Sequence, residues 1–255
     1  MLTSVLQRRW AGLATLILTV AALTAEATPA AALVARPLPN GNFEAGNLSG
    51  WRVNDWGVAG DGWSANSGTV SPVSQFDIPA PPQGSWQAVV DQVNNGSHLL
   101  YRDIVVDQAG LELVLTLWYR NRTDVFFTPN NLNPFTNNNQ QVRVDLIRPD
   151  AWLRTMSAQN VLATVFRTQV GDPASMEPRQ FRMDLSRFVG QTVRLRIAEV
   201  DNQNFFQAGV DAVRVVAPAA VQATSLPAVA AGPSPRATAP MTPRRGPRYL
   251  ARGPR

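Results

Sequence analysis

From Leu111 the chain alternates without interruption: Leu111, Leu113, Leu115, Leu117 and Tyr119 share one side, and Glu112, Thr116 and Arg120 the other. A period of two predicts a strand with one face in a core. The same alternation sets Val142, Val144 and Leu146 against Arg143 and Asp145. It sets Phe181, Met183 and Leu185 against Arg182 and Asp184, and Val193, Leu195 and Ile197 against Arg194 and Arg196. Val213 and Val215 bracket Arg214 in the same way. No stretch of comparable length carries the apolar spacing of a long helix, and one short helix, around Ala158 to Val165, is the most the pattern allows. Short strands separated by Asn, Gly and Pro across residues 36–216 predict an all-β domain, a sandwich or a barrel.

The flanks differ from this domain. Arg8 and Arg9 precede an apolar run from Ala11 to Ala25, and small residues follow, among them Ala27, Ala30 and Ala32. Residues 1–35 therefore read as an export signal and short linker, cleaved after Ala27 or one of the alanines up to Ala35. The run is short for a membrane span, so no stable membrane insertion is expected after cleavage. Residues 217–255 hold eight Pro and six Arg with no acidic residue, which predicts an extended, disordered tail. The chain has no Cys and a single His, which excludes disulfides, thiolate zinc sites and multi-histidine metal sites. The formal charge of +5 suggests nucleic acid only until it is located. Residues 36–216 carry 15 Arg against 17 Asp and Glu, so the excess lies in the flanks and no nucleic-acid partner is expected.

Two carboxylates fall on apolar faces. Counting by twos from Val215 and Val213 turns Asp211 inward, and counting on from Ile197 does the same for Glu199. A buried carboxylate needs an ion pair, hydrogen bonds or a metal, unless the strand ends there and the side chain reaches water. Hard oxygen ligands of this kind suit Ca²⁺.

The opening NGNFEAGNLSGW at residues 40–51, followed by Asp55, Trp56 and Gly57, and the closing GVDAVRV at residues 209–215 resemble the two ends of a galactose-binding-like jelly roll. GSHLLYRDI (96–104), TNNNQQVRVDL (136–146) and LSRFVGQTVRLRIAEVDNQNFFQAGVD (185–211) are similar to its middle and late strands. The resemblance implies a two-sheet antiparallel jelly-roll sandwich of the kind found in carbohydrate-binding modules and exported bacterial proteins. It also implies a structural Ca²⁺ joining the first strand to the last, at Glu44 and Asp211, with Asn42 and Asp201 as further candidates.

Ligand contacts must come from loops. Residues 121–141 are polar, Asn-rich (Asn131 among them) and display Phe126, Phe127 and Phe135. Exposed aromatic rings stack on sugars, and amides pair with hydroxyls. Trp56 and Trp63 are candidates for the same role on the N-terminal loops, whereas Trp51 is expected in the core. Phe205 and Phe206 are adjacent and cannot both point inward from a regular strand. Catalysis has little support: His98 lacks a G-x-S-x-G elbow and is expected at a surface or an edge, and no P-loop, dinucleotide fingerprint or zinc signature occurs. The leading expectation is a secreted or cell-surface, non-catalytic sandwich that binds carbohydrate or another extracellular polymer. The alternatives are a structural or adhesive matrix protein acting through protein contacts, and a hydrolase with an unrecognised carboxylate pair.

Overall fold

The structure is a computed structural model that describes residues 33–36, 38–57, 62–92, 94–124, 127–129, 131–136 and 138–218. The expected cleavable segment up to residue 32 and the expected tail beyond residue 218 lie outside the described residues.

The alternating segments pair into two antiparallel sheets, giving the two-sheet jelly-roll sandwich. In the first, β3 (Ser64–Asn66), β4 (Gln87–Gln92), β11 (Phe206–Pro218), β6 (Glu112–Asn121) and β9 (Ser175–Asp184) lie side by side, and β1 (Leu33–Arg36) also pairs with β11. In the second the order is β2 (Arg52–Gly57), β5 (Gly96–Val106), β10 (Gln191–Asp201), β7 (Gln141–Ile147) and β8 (Val161–Arg167). The sandwich thus takes up the chain at Leu33, slightly ahead of the expected boundary. Leu113, Leu115, Leu117 and Tyr119 of β6 meet Val142, Val144 and Leu146 of β7 and Val193, Leu195 and Ile197 of β10 in one core between the sheets. This inward set is the one the alternation predicts. Among the described residues no helix is long and apolar enough to cross a membrane.

The short helix expected at Ala158 to Val165 is not formed. The segment is instead β8, drawn into register with β7 through pairs such as Leu146 with Ala163. Its β-branched Val161, Thr164 and Val165 favour that outcome. The 3-10 turn Ser186–Phe188 lies elsewhere.

Part of the outer face of the first sheet is covered. Trp118 points away from the core yet is fully buried with Ile78 and Val89, and its Nε1 donates to Gln87 Oε1 at 2.7 Å. The ring lies flat on Gly209, where an added Cβ would come 2.2 Å from it. Only glycine fits at that position.

Counting by twos fails at Asp211 because β11 contains a bulge between Asp211 and Arg214, with Ala212 at φ 52°. Ala208 and Val210 face the core before the bulge, and Val213 and Val215 after it. The extra residue changes the parity, so Asp211 lies on the side opposite Val210. It is nevertheless fully buried, beneath the backbone at Gln83. Glu199 does occupy the inward face and is fully buried. His98 is neither a surface nor a loose edge residue. It is 1% exposed on a central strand, and its Nδ1 sits 2.7 Å from Asp55 Oδ1 across the β2–β5 pair. Of the two adjacent phenylalanines, Phe206 enters the core, while Phe205, at φ 51°, turns onto Phe76.

Candidate functional site

The outer face of the second sheet brings exposed aromatic rings onto a rigid base. Trp56, on edge strand β2, is 38% exposed, and Phe135, on the loop before β7, is 57% exposed. Their rings meet edge to face, with centroids 5.8 Å apart. Arg154 fixes the platform from below. Its guanidinium is 5.3 Å from the Trp56 ring centroid, and its Nε donates to Ser97 Oγ at 3.1 Å. Its Nη2 donates to the carbonyls of Ser97 and Asn54 at 2.7 and 3.1 Å, and Nη1 to Asn54 Oδ1. Asn54 and Trp56 share the outer side of β2, and Ser97 pairs directly with Trp56. One buried cation therefore ties the edge strand to β5 and supports the ring. Burial lowers the Arg154 pKa to about 10, partly offset by the charge of Asp55. Arg154 stays charged at neutral pH.

Phe135 is held by the asparagines of its own loop. Asn133 Oδ1 accepts from Phe135 N at 2.9 Å, and Asn131 Oδ1 from Asn133 N at 2.7 Å and from Thr136 Oγ1 at 3.1 Å. Asn139 Nδ2 donates to the carbonyls of Asn131 and Asn133. Asn202, in the turn after β10, donates to Pro134 O and accepts from Asn139 N. The Oδ1 of Asn131, a residue expected to meet a ligand, is thus engaged in shaping the loop.

The other aromatic candidates divide. Trp63 is 5% exposed in the core and donates from Nε1 to His98 O, so it offers no surface ring. Phe127 is likewise buried, 5.2 Å from Tyr119 and 5.8 Å from Phe206 between ring centroids. Both fill space that the apolar strands leave near the loop end of the sandwich. Phe126 lies outside the described residues. Sequence reasoning missed Arg154 and Trp152, which lie in the segment between β7 and β8. Trp152 is 66% exposed, and neighbouring Leu153 and Met156 seal Leu99, Ala198 and Val200 on this same outer face. The signal was the run Trp152-Leu153-Arg154, with an apolar residue between a large ring and a cation.

Beneath that segment lies a buried ion cluster. Asp145 accepts from Arg143 Nε and Nη2 at 2.6 and 2.7 Å, from Arg196 Nη2 at 2.5 Å and from Thr164 Oγ1 at 2.8 Å. Burial acts to raise the Asp145 pKa, but the hydrogen bonds and charges of Arg143 and Arg196 outweigh it and hold it below the ordinary value. Arg196 also donates to the carbonyls of Leu153 and Thr155, which anchors the covering segment.

The metal candidates separate into two places. Glu44 Oε1 accepts from Ser85 N and Trp86 N at 2.8 and 2.9 Å, and Asp211 Oδ2 from Gln83 N at 2.8 Å. Both carboxylates thus grip one short segment, and half-buried Asn42 belongs to the same turn as Glu44. That turn is locked to β11, since Val213 N donates to Gly41 O and a Cβ on Gly41 would sit 2.0 Å from Val213 O. Burial pushes the Asp211 pKa up to about 6. The N–H groups of Ala212 and Gln83 oppose the rise, and the charge of Glu44 adds to it. A buried carboxylate whose cost of ionisation is raised by a second carboxylate nearby fits a hard cation. Among the described residues no group of three or more His, Asp or Glu side chains is placed to hold a metal, so backbone carbonyls or water would complete its shell. Asp201 lies elsewhere, at the end of β10, where burial pushes it up to about 7 and the charge of Asp91 adds to the rise.

The fold and this face define a jelly-roll sandwich carrying an exposed aromatic pair on one sheet. No family model and no curated protein matches the chain. Solved structures are similar to it at low identity. A carbohydrate-binding module, TmCBM61 in complex with β-1,4-galactotriose, is 13% identical over 70% of this chain and 95% of its own, with a TM-score of 0.43. The K3 adhesin domain of Lys-gingipain from Porphyromonas gingivalis is 13% identical over 73% of this chain and 99% of its own, with a TM-score of 0.42. A Stig cyclase, Fisc from Fischerella sp. TAU, is 15% identical over 72% and 98%, also with a TM-score of 0.42.

Proposed function

We propose that the chain is an exported, non-catalytic sandwich that binds carbohydrate at the Trp56–Phe135 platform, with Ca²⁺ between Glu44 and Asp211 as an architectural ion. The observation that carries this reading is the exposure of two large rings held in fixed positions, one by a buried guanidinium and one by an asparagine lattice. Exposed apolar residues scattered singly are ordinary, whereas rings that adjoin each other on the surface mark an interaction site. A flat apolar ring presented this way suits the C–H face of a pyranose, while hydroxyls around it find amide and carbonyl partners. The ion would join the 40–44 turn to β11 and the 83–86 segment, some distance from the rings, and so act on stability and not on ligand contact.

Affinity electrophoresis against a panel of soluble polysaccharides, repeated with Trp56→Ala and Phe135→Ala, tests the reading. Retardation by at least one polysaccharide, lost in both variants while the fold persists by circular dichroism, is the expected result. Absence of retardation by every polysaccharide would remove it, and self-association of the chain in its place would favour the adhesive alternative.

A further inference from the structure

The domain as a whole is slightly acidic, yet the face that carries the platform is not. Residues 36–216 hold two more acidic residues than arginines. On the outer side of the second sheet, Arg143, Arg154 and Arg196 are 3%, 6% and 0% exposed, and the buried carboxylate among them is Asp145. Three guanidiniums against one carboxylate leave a buried excess of positive charge that solvent screens poorly. Two exposed arginines extend it. Arg52 precedes Trp56 on the same side of β2, and Arg167 lies directly across from Arg143 in the β7–β8 pair. Neither makes an ion pair among the described residues. Arg194, on the same face, is neutralised by a two-pronged pair with Asp103 at 2.7 and 3.0 Å. Asp55, next to Trp56, points to the opposite side of β2 and is engaged by His98, and its charge, felt at Arg154, reduces the positive excess without cancelling it.

A stacking ring above a net positive face selects for a polymer that is both saccharide and anion. We propose that the ligand of the Trp56–Phe135 platform is an acidic polysaccharide, its sugar rings stacked on Trp56 and its carboxylates drawn by the field of Arg52, Arg154 and the Arg143–Asp145–Arg196 cluster. This inference rests on the carbohydrate reading above and narrows it to a class. The buried guanidiniums contribute through their field, since most of their N–H groups are occupied by Ser97, Asn54, Asp145 and backbone carbonyls, and Arg196, whose Nε has no partner, is fully buried. Arg52 is the group exposed for direct contact.

The test measures binding of the full chain to polygalacturonate and alginate alongside neutral galactan and glucomannan, at about 0.01 M and about 0.15 M NaCl. The expected result is that acidic polymers bind about tenfold or more tighter at low salt, with that margin shrinking severalfold at the higher salt. Arg52→Gln is expected to reduce acidic binding about threefold to fivefold. Trp56→Ala and Phe135→Ala distinguish the platform from the arginines of residues 217–255, which attract polyanions wherever the rings are. Acidic binding that survives loss of both rings overturns the inference. Neutral polymers bound as tightly as acidic ones, with no salt dependence, overturn the inference and leave the carbohydrate reading standing. No binding to any polymer removes both.

Discussion

The platform face and the Glu44–Asp211 seam solve opposite electrostatic problems. Under the platform, cations are buried with most of their hydrogen bonds made: Arg154 reaches Ser97 and Asn54, and Arg143 and Arg196 converge on Asp145. At the seam two carboxylates are held by backbone N–H groups of one segment, and Glu44 adds to the rise in the Asp211 pKa. The first arrangement finds its hydrogen-bond partners within the chain at nearly every group and makes a rigid surface. The second is left with negative charge that an outside cation can relieve. Rigidity suits a binding face, and an uncompensated seam suits a place where folding is coupled to an ion.

The sharpest way to break the first region is Asp145→Ala, which strands two buried guanidiniums. Removing one partner of such a cluster costs about 3–5 kcal/mol, and denaturant unfolding should show that loss. A small loss would mean the cluster hydrates freely and the face is less rigid than described. For the seam, Ca²⁺ at about 100 times its dissociation constant should add about 2.7 kcal/mol, read as a rise in thermal midpoint that chelator reverses and Asp211→Asn abolishes. No shift would leave the two regions electrostatically unlike but the seam without an ion.

A pH series separates them further. Asp211 and Asp201 have folded-state pKa values raised from 3.8 to about 6 and about 7. The folded state therefore holds protons that the unfolded chain has lost, and stability falls as pH rises from about 4 toward 7. The slope is at most about 1.4 kcal/mol per pH unit for each group. Without Ca²⁺, unfolding midpoints should be higher at about pH 5 than at about pH 8. Asp211→Asn should flatten part of that difference. Asp145 has the opposite sign, and its contribution disappears only in stronger acid, as pH falls through its lowered value. The smallest effect on stability belongs to Trp56→Ala. It should shift the unfolding free energy by about 1 kcal/mol or less, as a half-exposed edge position, while abolishing retardation by polysaccharide.

Strands with one core face were legible because a period of two survives any loop length. Leu113 to Tyr119 and Val193 to Ile197 needed nothing beyond their own alternation. Asp211 was misplaced for a local reason: the bulge turns on Ala212 at positive φ, a conformation that the identity alanine does not announce. Trp56 and Trp63 look alike in sequence, and only the side each ring takes, outward for Trp56 on β2 and into the core for Trp63 just before β3, makes one a surface ring and the other a core filler. The run Trp152-Leu153-Arg154 marked the segment, but the role of Arg154 was not legible because its partners Asn54 and Ser97 are 100 and 57 residues away. His98 was misread for the same reason, since Asp55 reaches it from another strand.

The pairing of β1 with β11 also fixes how the sandwich bears load. Leu33 lies opposite Pro218 and Arg36 opposite Val215, so the outermost ends of the two strands are neighbours. Tension applied across those ends peels the ladder open one rung at a time, as a zipper opens, and does not shear all rungs together. The tear then arrives at the link from Val213 to Gly41, and beyond it at the grip of Asp211 on Gln83. Those bonds are the next that such a pull has to break once the β1–β11 ladder is open.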